Sequence, residues 1–211
     1  MQRLLSFFIV CAISHLIQAQ DIKLMDYAPQ YAKNQVSERK AFEIKNSNGK
    51  QDTCIQGLAL INEKGFPTLY TEYFARGRRM AEYSFEYDET GKLIRHSVMT
   101  TFNDWQPMDF KLTFDTKGRL ISRELPESIS SFWKKETFHY NNSGVMIKNE
   151  HWYEKDGSLM IMDTKDYPPS LVVEESSLTY INNPKGLLML HQWYNSSGKV
   201  DKCWKYEYGY R

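Results

Sequence analysis

The sequence contains little cysteine, which limits what can hold its fold together. It has three cysteines in 211 residues, and only Cys54 and Cys203 lie beyond the first nineteen residues. A small fold built on many disulfides is therefore excluded. In an oxidising compartment these two cysteines can form one disulfide, which would require the two ends of the chain to meet. The alternative is two buried thiols that behave as small hydrophobic side chains.

The sequence also lacks an excess of charge and long apolar runs. The formal net charge is +1, and without Arg3 the basic and acidic residues would balance at 26 each. A chain without a global field does not attract nucleic acid or an anionic membrane surface, so neither is a predicted partner. No apolar run is long enough for a membrane-spanning helix, which needs about 20 residues.

Residues 1–19 have the composition of a cleavable signal peptide. Arg3 supplies the positive charge, Leu4 to Ile17 supplies a short interrupted apolar stretch, and cleavage is predicted after Ala19. A lipoprotein signal would instead use Cys11, but the bulky Val10 precedes it and the apolar run continues past it. We therefore expect a secreted or periplasmic protein.

A glycine-centred repeat is the strongest pattern in the remaining chain. An aromatic residue stands four positions before each glycine, and Leu or Met stands two positions after it. Four segments carry the full pattern: Tyr83 to Ile94, Phe110 to Ile121, Thr137 to Ile147 and Trp152 to Met160.

The repeat predicts a β-hairpin. Tyr83, Phe85 and Tyr87 alternate with polar residues, as in a strand with one buried face. Asp88 is typical of the first position of a type I turn, and Gly91 can take the positive φ that closes the hairpin through a bulge. The predicted turn glycines are Gly77, Gly91, Gly118, Gly144, Gly157 and Gly198.

The predicted fold is all-β: an antiparallel meander of repeated hairpins, a dozen or so strands in one large twisted, curved or partly closed sheet. We divide the chain into the signal peptide (1–19), a lead segment (20–41) and the β-hairpin repeat domain (42–211). No amphipathic helix of any length is evident. The lead segment is expected either to be mobile or to pack on the sheet.

The unit from Tyr87 to Leu93 resembles the tyrosine–aspartate (Rhs-type) repeats of bacterial surface proteins. It is also similar to the hairpin repeats of small exported bacterial proteins. The resemblance covers roughly residues 60 to 210 and implies repeated hairpins, which specify a shape rather than a chemistry. Large Rhs proteins enclose a toxin in a long β-shell, and this chain is too short for that role.

No catalytic or metal-binding motif is present, so no catalytic residue, metal or cofactor is predicted. The histidines beyond the signal peptide do not have the spacing of metal ligands. A hydrolase would have to use the carboxylates of Asp88 and Asp115 with His139 or His191. The turn motif explains both aspartates without catalysis, and His139 lies on the face opposite Phe138.

The aromatic residues supply the candidate binding residues. All five tryptophans lie at or beyond residue 105, and both faces of the strand from Leu187 to Tyr194 are apolar. The lead segment, a curled part of the sheet, a second subunit or a ligand must cover the second face. The predicted ligand-binding residues are Trp133, Trp152, Trp193 and Tyr194.

These features favour a non-catalytic binding or interaction module of the bacterial cell envelope, whose partner is a glycan or an envelope protein. The first alternative is the carboxylate- and histidine-dependent hydrolase. The second is a structural or assembly protein whose edge strands pair with another chain. The sequence does not indicate an oligomeric state.

Overall fold

The computed structural model describes residues 24–47, 50–74, 77–101, 104–126, 134–144, 146–155, 158–166, 178–194 and 200–211. A 3-10 helix, Leu24–Tyr27, and helix α1, Ala28–Lys33, come first. The strands follow as β1 Val36–Ser47, β2 Lys50–Ile61, β3 Pro67–Tyr73, β4 Arg79–Tyr87, β5 Leu93–Thr100, β6 Met108–Asp109, β7 Lys111–Phe114, β8 Leu120–Glu124, β9 Lys135–Tyr140, β10 Met146–Lys155, β11 Ser158–Asp166, β12 Leu178–Asn182, β13 Leu188–Tyr194 and β14 Val200–Tyr210.

The hairpin turns have the predicted chemistry. Asp88 Oδ1 accepts the backbone N–H groups of Thr90 and Lys92 at 2.9 and 3.0 Å. The N–H of Gly91 donates to the carbonyl of Asp88 at 3.0 Å, and Gly91 has φ +87°. Side-chain and backbone bonds of the same kind recur at Asn62, Asp115 and Asn183.

Four of the six glycines assigned to turns from the sequence lie within the described residues. Gly77, Gly91, Gly118 and Gly144 all have positive φ. Gly157 and Gly198 lie outside the described residues.

The predicted all-β antiparallel fold is confirmed, but its strands form two open sheets and not the one large sheet expected from the sequence. The nine-stranded sheet has the order β12-β13-β14-β1-β2-β3-β4-β5-β6, and the five-stranded sheet has the order β11-β10-β9-β8-β7. Most neighbours are consecutive in sequence, as in a meander. The exception is β14, which pairs with β1 as well as with β13.

The two ends of the domain therefore meet through hydrogen bonds and not through the disulfide considered above. Cys54 on β2 is opposite Glu43, and Cys203 on β14 is opposite Ile44, so β1 separates the two cysteines. Two strand spacings amount to about 10 Å, beyond the usual Cα separation of a disulfide. Both thiols are free, which corrects that pairing.

The lead segment packs on the core, one of its two expected outcomes. Leu24, Ala28 and Tyr31 are buried. Helix α1 lies against the β2–β3 turn, where a Cβ on Gly65 would come within 1.9 Å of the Ala28 carbonyl oxygen. Strand β1 begins at Val36, before the boundary that the sequence suggested at residue 42.

The apolar core lies between the two sheets. Tyr70, Tyr83 and Val98 occupy directly opposed positions on β3, β4 and β5, and all three are buried. Phe138 and Met146 from the five-stranded sheet belong to the same cluster. The alternation of aromatic residues along each strand produces this buried face.

Candidate functional site

A group of five polar side chains lies within this apolar core, and we call it the buried polar cluster. His96 lies on β5, Arg123 on β8, Glu136 on β9, and Asn149 and His151 on β10. All five are fully buried. Arg123 is directly opposite Glu136, and Glu136 is directly opposite His151, so three neighbouring strands align them in one row.

Glu136 is the centre of the cluster. Its Oε2 accepts a hydrogen bond from Arg123 Nε at 2.7 Å. Its Oε1 accepts one from Asn149 Nδ2 at 2.6 Å and lies 3.1 Å from His151 Nε2. Burial alone would raise the pKa of Glu136, but Arg123, His151 and these hydrogen bonds lower it below its usual value. Glu136 is therefore a carboxylate that balances the charge of Arg123.

Arg123 also connects the two sheets, because its other end reaches His96 on β5. Arg123 Nη1 lies 3.4 Å from His96 Nδ1 and 3.3 Å from His96 Nε2. The imidazole stacks on Phe85 at 4.4 Å between ring centroids and contacts Phe110 at 4.7 Å. Burial and the neighbouring guanidinium hold the pKa of His96 well below 6.5, so the ring is neutral.

The buried polar cluster was not predicted from the sequence, although the alternation of residues contained a signal for part of it. Glu136 has the same parity as Phe138 and Tyr140, which places it on the inward face of β9. Asn149 and His151 likewise share a parity on β10. These residues are usually exposed, so composition alone favoured a solvated position.

A second buried cation lies where the ends of the domain pair. The guanidinium of Arg39 on β1 lies 4.4 Å from the ring centroid of Tyr206, and its hydrogen bonds reach the hydroxyls of Tyr206 and Tyr208. The groups that act on the Arg39 charge are the phenols of Tyr31, Tyr206, Tyr208 and Tyr70. Burial raises the pKa of the neighbouring Tyr31, so this phenol stays neutral. At this site, tyrosine phenols surround the guanidinium of Arg39, which is always charged.

A shallow groove of about 410 Å³ lies beside two adjacent hairpin turns. The rings of Phe66 and Tyr87 stack there with 4.9 Å between centroids. Lys64 Nζ joins the two turns by donating to the carbonyl of Glu89 at 2.7 Å. The residues that line the groove are Asn62, Glu63, Lys64, Phe66, Thr68, Phe85, Tyr87 and Asp88.

The groove combines stacked rings with unused hydrogen-bonding capacity. The turn uses Asp88 Oδ1, whereas none of the described residues donates a hydrogen bond to Oδ2. Glu63 adds an exposed carboxylate at the turn tip. An aromatic wall beside carboxylate oxygens can bind a polar ligand that has an apolar face.

The predicted aromatic binding residues do not come together on one element. Trp152 lies half-buried on β10, where its Nε1 donates to Thr137 Oγ1 at 3.1 Å. Trp193 and Tyr194 belong to β13 in the other sheet, and their side chains lie outside what the structure describes. Trp133 also falls outside the described residues. Their assignment to a ligand stays a prediction.

Where the structure describes the side chains that a hydrolase would need, these side chains bind turn groups or a neighbouring carboxylate. The pKa of Asp88 is lowered by hydrogen bonds from the Thr90 side chain and nearby backbone. The Arg119 backbone and guanidinium lower the pKa of Asp115. Both groups are thus carboxylates that accept turn hydrogen bonds. His139 is half-exposed and lies 3.3 Å from Glu150 Oε2, and the side chain of His191 is not among the described ones.

Two further properties concern metals and membranes. Within the described ranges, no three His, Cys, Asp or Glu side chains are grouped so as to hold a metal ion. None of the described helices has the length and apolar composition needed to cross a membrane.

The sequence matches no family model, and no curated protein matches it. Solved structures resemble it distantly. A porin-like protein from Bacteroides uniformis has 11% identity and a TM-score of 0.42, with coverage of 83% of this chain and 97% of that chain. A putative outer membrane lipoprotein-sorting protein domain from Vibrio parahaemolyticus has 10% identity and a TM-score of 0.28, with coverage of 86% and 90%. A DUF1329 family protein from Desulfovibrio piger has 9% identity and a TM-score of 0.27, with coverage of 90% and 91%.

Proposed function

We propose that this chain is a non-catalytic binding or interaction module of the bacterial cell envelope. The observation that carries the proposal is the groove beside the two hairpin turns, which presents the stacked pair Phe66 and Tyr87 next to the carboxylates of Glu63 and Asp88. Such a surface suits a glycan or a polar segment of an envelope protein. The signal-like composition of residues 1–19 supports export.

The distribution of ionisable groups supports a binding role over a catalytic one. A general acid or base must reach its substrate and must have a pKa suited to proton transfer. The buried polar cluster is fully enclosed, so a ligand in the groove does not touch it. The pKa of Asp88 in the groove is lowered, which makes this residue a hydrogen-bond acceptor and a poor general acid.

The experiment compares Asp88→Asn with the matched control Asp115→Asn. Asparagine preserves the turn, because Asn62 and Asn183 occupy the same turn position in this chain. Co-sedimentation with peptidoglycan sacculi and with membrane fractions measures binding of the mature chain. Loss of a charge-assisted hydrogen bond of about 1.5–3 kcal/mol predicts roughly tenfold or more weaker binding for Asp88→Asn. Asp115→Asn should bind as the wild type does, because Asp115 does not line the groove.

Equal binding by the two variants would show that the groove is not the contact surface. Failure of the wild-type chain to bind either fraction, together with no partner after cross-linking in an envelope extract, would contradict the proposed function itself. Appearance of hydrolysis products in the sacculus sample, measured by mass spectrometry, would favour the hydrolase.

An assembly role is the second candidate, and strand β11 favours it. This strand is at the end of the five-stranded sheet, where β10 is its neighbour. Leu159, Met160 and Ile161 are consecutive and all exposed. Because consecutive residues point to opposite faces, both faces of the strand are uncovered over these three residues. Light scattering that shows a monomer at high concentration, with no change in Ile161→Lys, would rule out self-assembly through β11.

A further inference from the structure

We infer that the buried polar cluster is a proton-sensitive clasp, which joins the two sheets while His96 is neutral and opposes their packing when His96 is protonated. The inference goes beyond the proposed binding function and does not depend on it. It concerns the pH range in which the two sheets stay packed together.

The geometry makes Arg123 the joint between the sheets. On β8 its Nε is held by Glu136 of the neighbouring strand at 2.7 Å. Its Nη1 reaches His96 on β5 in the other sheet at 3.3–3.4 Å. Its guanidinium also lies over the rings of Phe110 and Tyr83, at 5.0 and 5.5 Å. One side chain therefore carries polar contacts from both sheets.

The surroundings of His96 decide the effect of a proton. Strand β4 presents Tyr83 and Phe85 to the imidazole, and the loop before β7 presents Phe110, whose N–H donates to the carbonyl of His96. Strand β8 presents Arg123, the charged group in contact with the ring among the described residues. Glu136 binds the far side of the guanidinium, so this carboxylate reaches His96 only through Arg123.

Protonation would place two positive charges within hydrogen-bond distance in the core, with Glu136 as the one carboxylate of the cluster. A protonated imidazole also loses the lone pair that accepts from Arg123. Both effects act among fully buried side chains, where charges interact more strongly than at the surface. The clasp is therefore stable only with His96 neutral.

The sign of the pH dependence follows. A histidine in the unfolded chain has a pKa of about 6.5, and the folded value for His96 is lower. Between these values the unfolded state binds a proton that the folded state does not. This contribution to stability is complete above about pH 6.5 and is lost as the pH falls, roughly tenfold in the folding equilibrium constant per pH unit for one histidine.

The test compares His96→Gln with the matched control His139→Gln. Glutamine is uncharged at every pH and retains an acceptor for Arg123, whereas His139 is half-exposed on the outer face of β9. Urea unfolding of the full mature chain from pH 8 to pH 5, followed by tryptophan fluorescence, gives the folding equilibrium constant. As the pH falls, the folding equilibrium constants of wild type and His139→Gln should decrease in parallel. The constant of His96→Gln should decrease about tenfold less per pH unit below pH 6.5.

Equal slopes for His96→Gln and His139→Gln would overturn the clasp. NMR titration of the imidazole in the wild-type protein covers the case in which His96→Gln does not fold. In that titration, protonation of His96 near pH 6.5 without loss of structure would also overturn the clasp. Amide exchange tests the joint between the sheets: at pH 5.5 protection in β5 and β8 should fall before that in the β1–β14 pair. A uniform loss would indicate general acid unfolding and contradict a clasp.

Discussion

At the scale of single residues, the structure explains the aromatic position of the repeat. The hydroxyl of Tyr87 donates to the carbonyl of Pro67 at 2.9 Å, and that of Tyr140 donates to the carbonyl of Leu120 at 2.7 Å. Each bond spans twenty residues, and each acceptor lies two residues after a turn glycine. Tyr208 makes the same bond to Leu188 at 2.7 Å. The tyrosine therefore ties the end of one strand to the start of an earlier one.

Removing one of these hydroxyls should cost about 1 kcal/mol of unfolding free energy, the usual net contribution of such a hydrogen bond. We expect this loss for Tyr140→Phe, because the ring still packs beneath the guanidinium of Arg119 at 5.0 Å. Urea unfolding measures it. The control is Tyr210→Phe. Tyr210 is 45% exposed, and the stability of this variant should stay within a few tenths of a kcal/mol of wild type. Equal values for the two variants would contradict the role of the bond.

At the scale of elements, two turns with the same local conformation have different surroundings. Gly65 and Gly118 both have positive φ, +86° and +77°. A Cβ on Gly65 would come within 1.9 Å of the Ala28 carbonyl oxygen in helix α1, whereas a Cβ on Gly118 would meet nothing within 4 Å. Gly65 therefore has two functions, in the turn and in the docking of the helix.

Gly118→Ala should cost only the strain of a left-handed residue, about 1–2 kcal/mol. We expect Gly65→Ala to cost more, because the added methyl group must also displace α1 from the β2–β3 turn. Urea unfolding gives the two free energies, and amide exchange over residues 24–33 should increase in Gly65→Ala alone. Unchanged exchange there would mean that the helix does not depend on this contact.

The hairpins were predictable from sequence, but helix α1 was not. Each turn depends on neighbouring residues, as Asp88 and Gly91 illustrate, so a short pattern is sufficient. Helix α1 has six residues, too few to establish a helical period, and its place depends on the distant turn at Gly65. The groove was missed for a similar reason, because Phe66 and Tyr87 meet only after β3 and β4 pair.

At the scale of the whole molecule, the division into two sheets and the pairing of β14 with β1 are non-local. No spacing of glycines distinguishes a continuous meander from one that divides near Phe110, between the two-residue strand β6 and β7. The buried polar cluster is also non-local, because Arg123 and His96 meet only when the two sheets pack together. Alternation can indicate which side chains point inward, but it cannot indicate which inward side chains meet.

The pairing of β14 with β1 predicts that the stability of the protein does not depend on its redox state. Cys54 and Cys203 lie on opposite sides of β1, so no bond between them holds the ends of the domain together. Urea unfolding with and without reducing agent should give the same midpoint, and both thiols should react with an alkylating agent after non-reducing denaturation. The Cys54→Ser variant is the control, and it should show the same independence of reductant. A disulfide closing so long a loop would supply about 4–5 kcal/mol. A fall of that size on reduction of the wild type alone would contradict the register of β1 with β2 and β14, because that register keeps the two sulfur atoms apart.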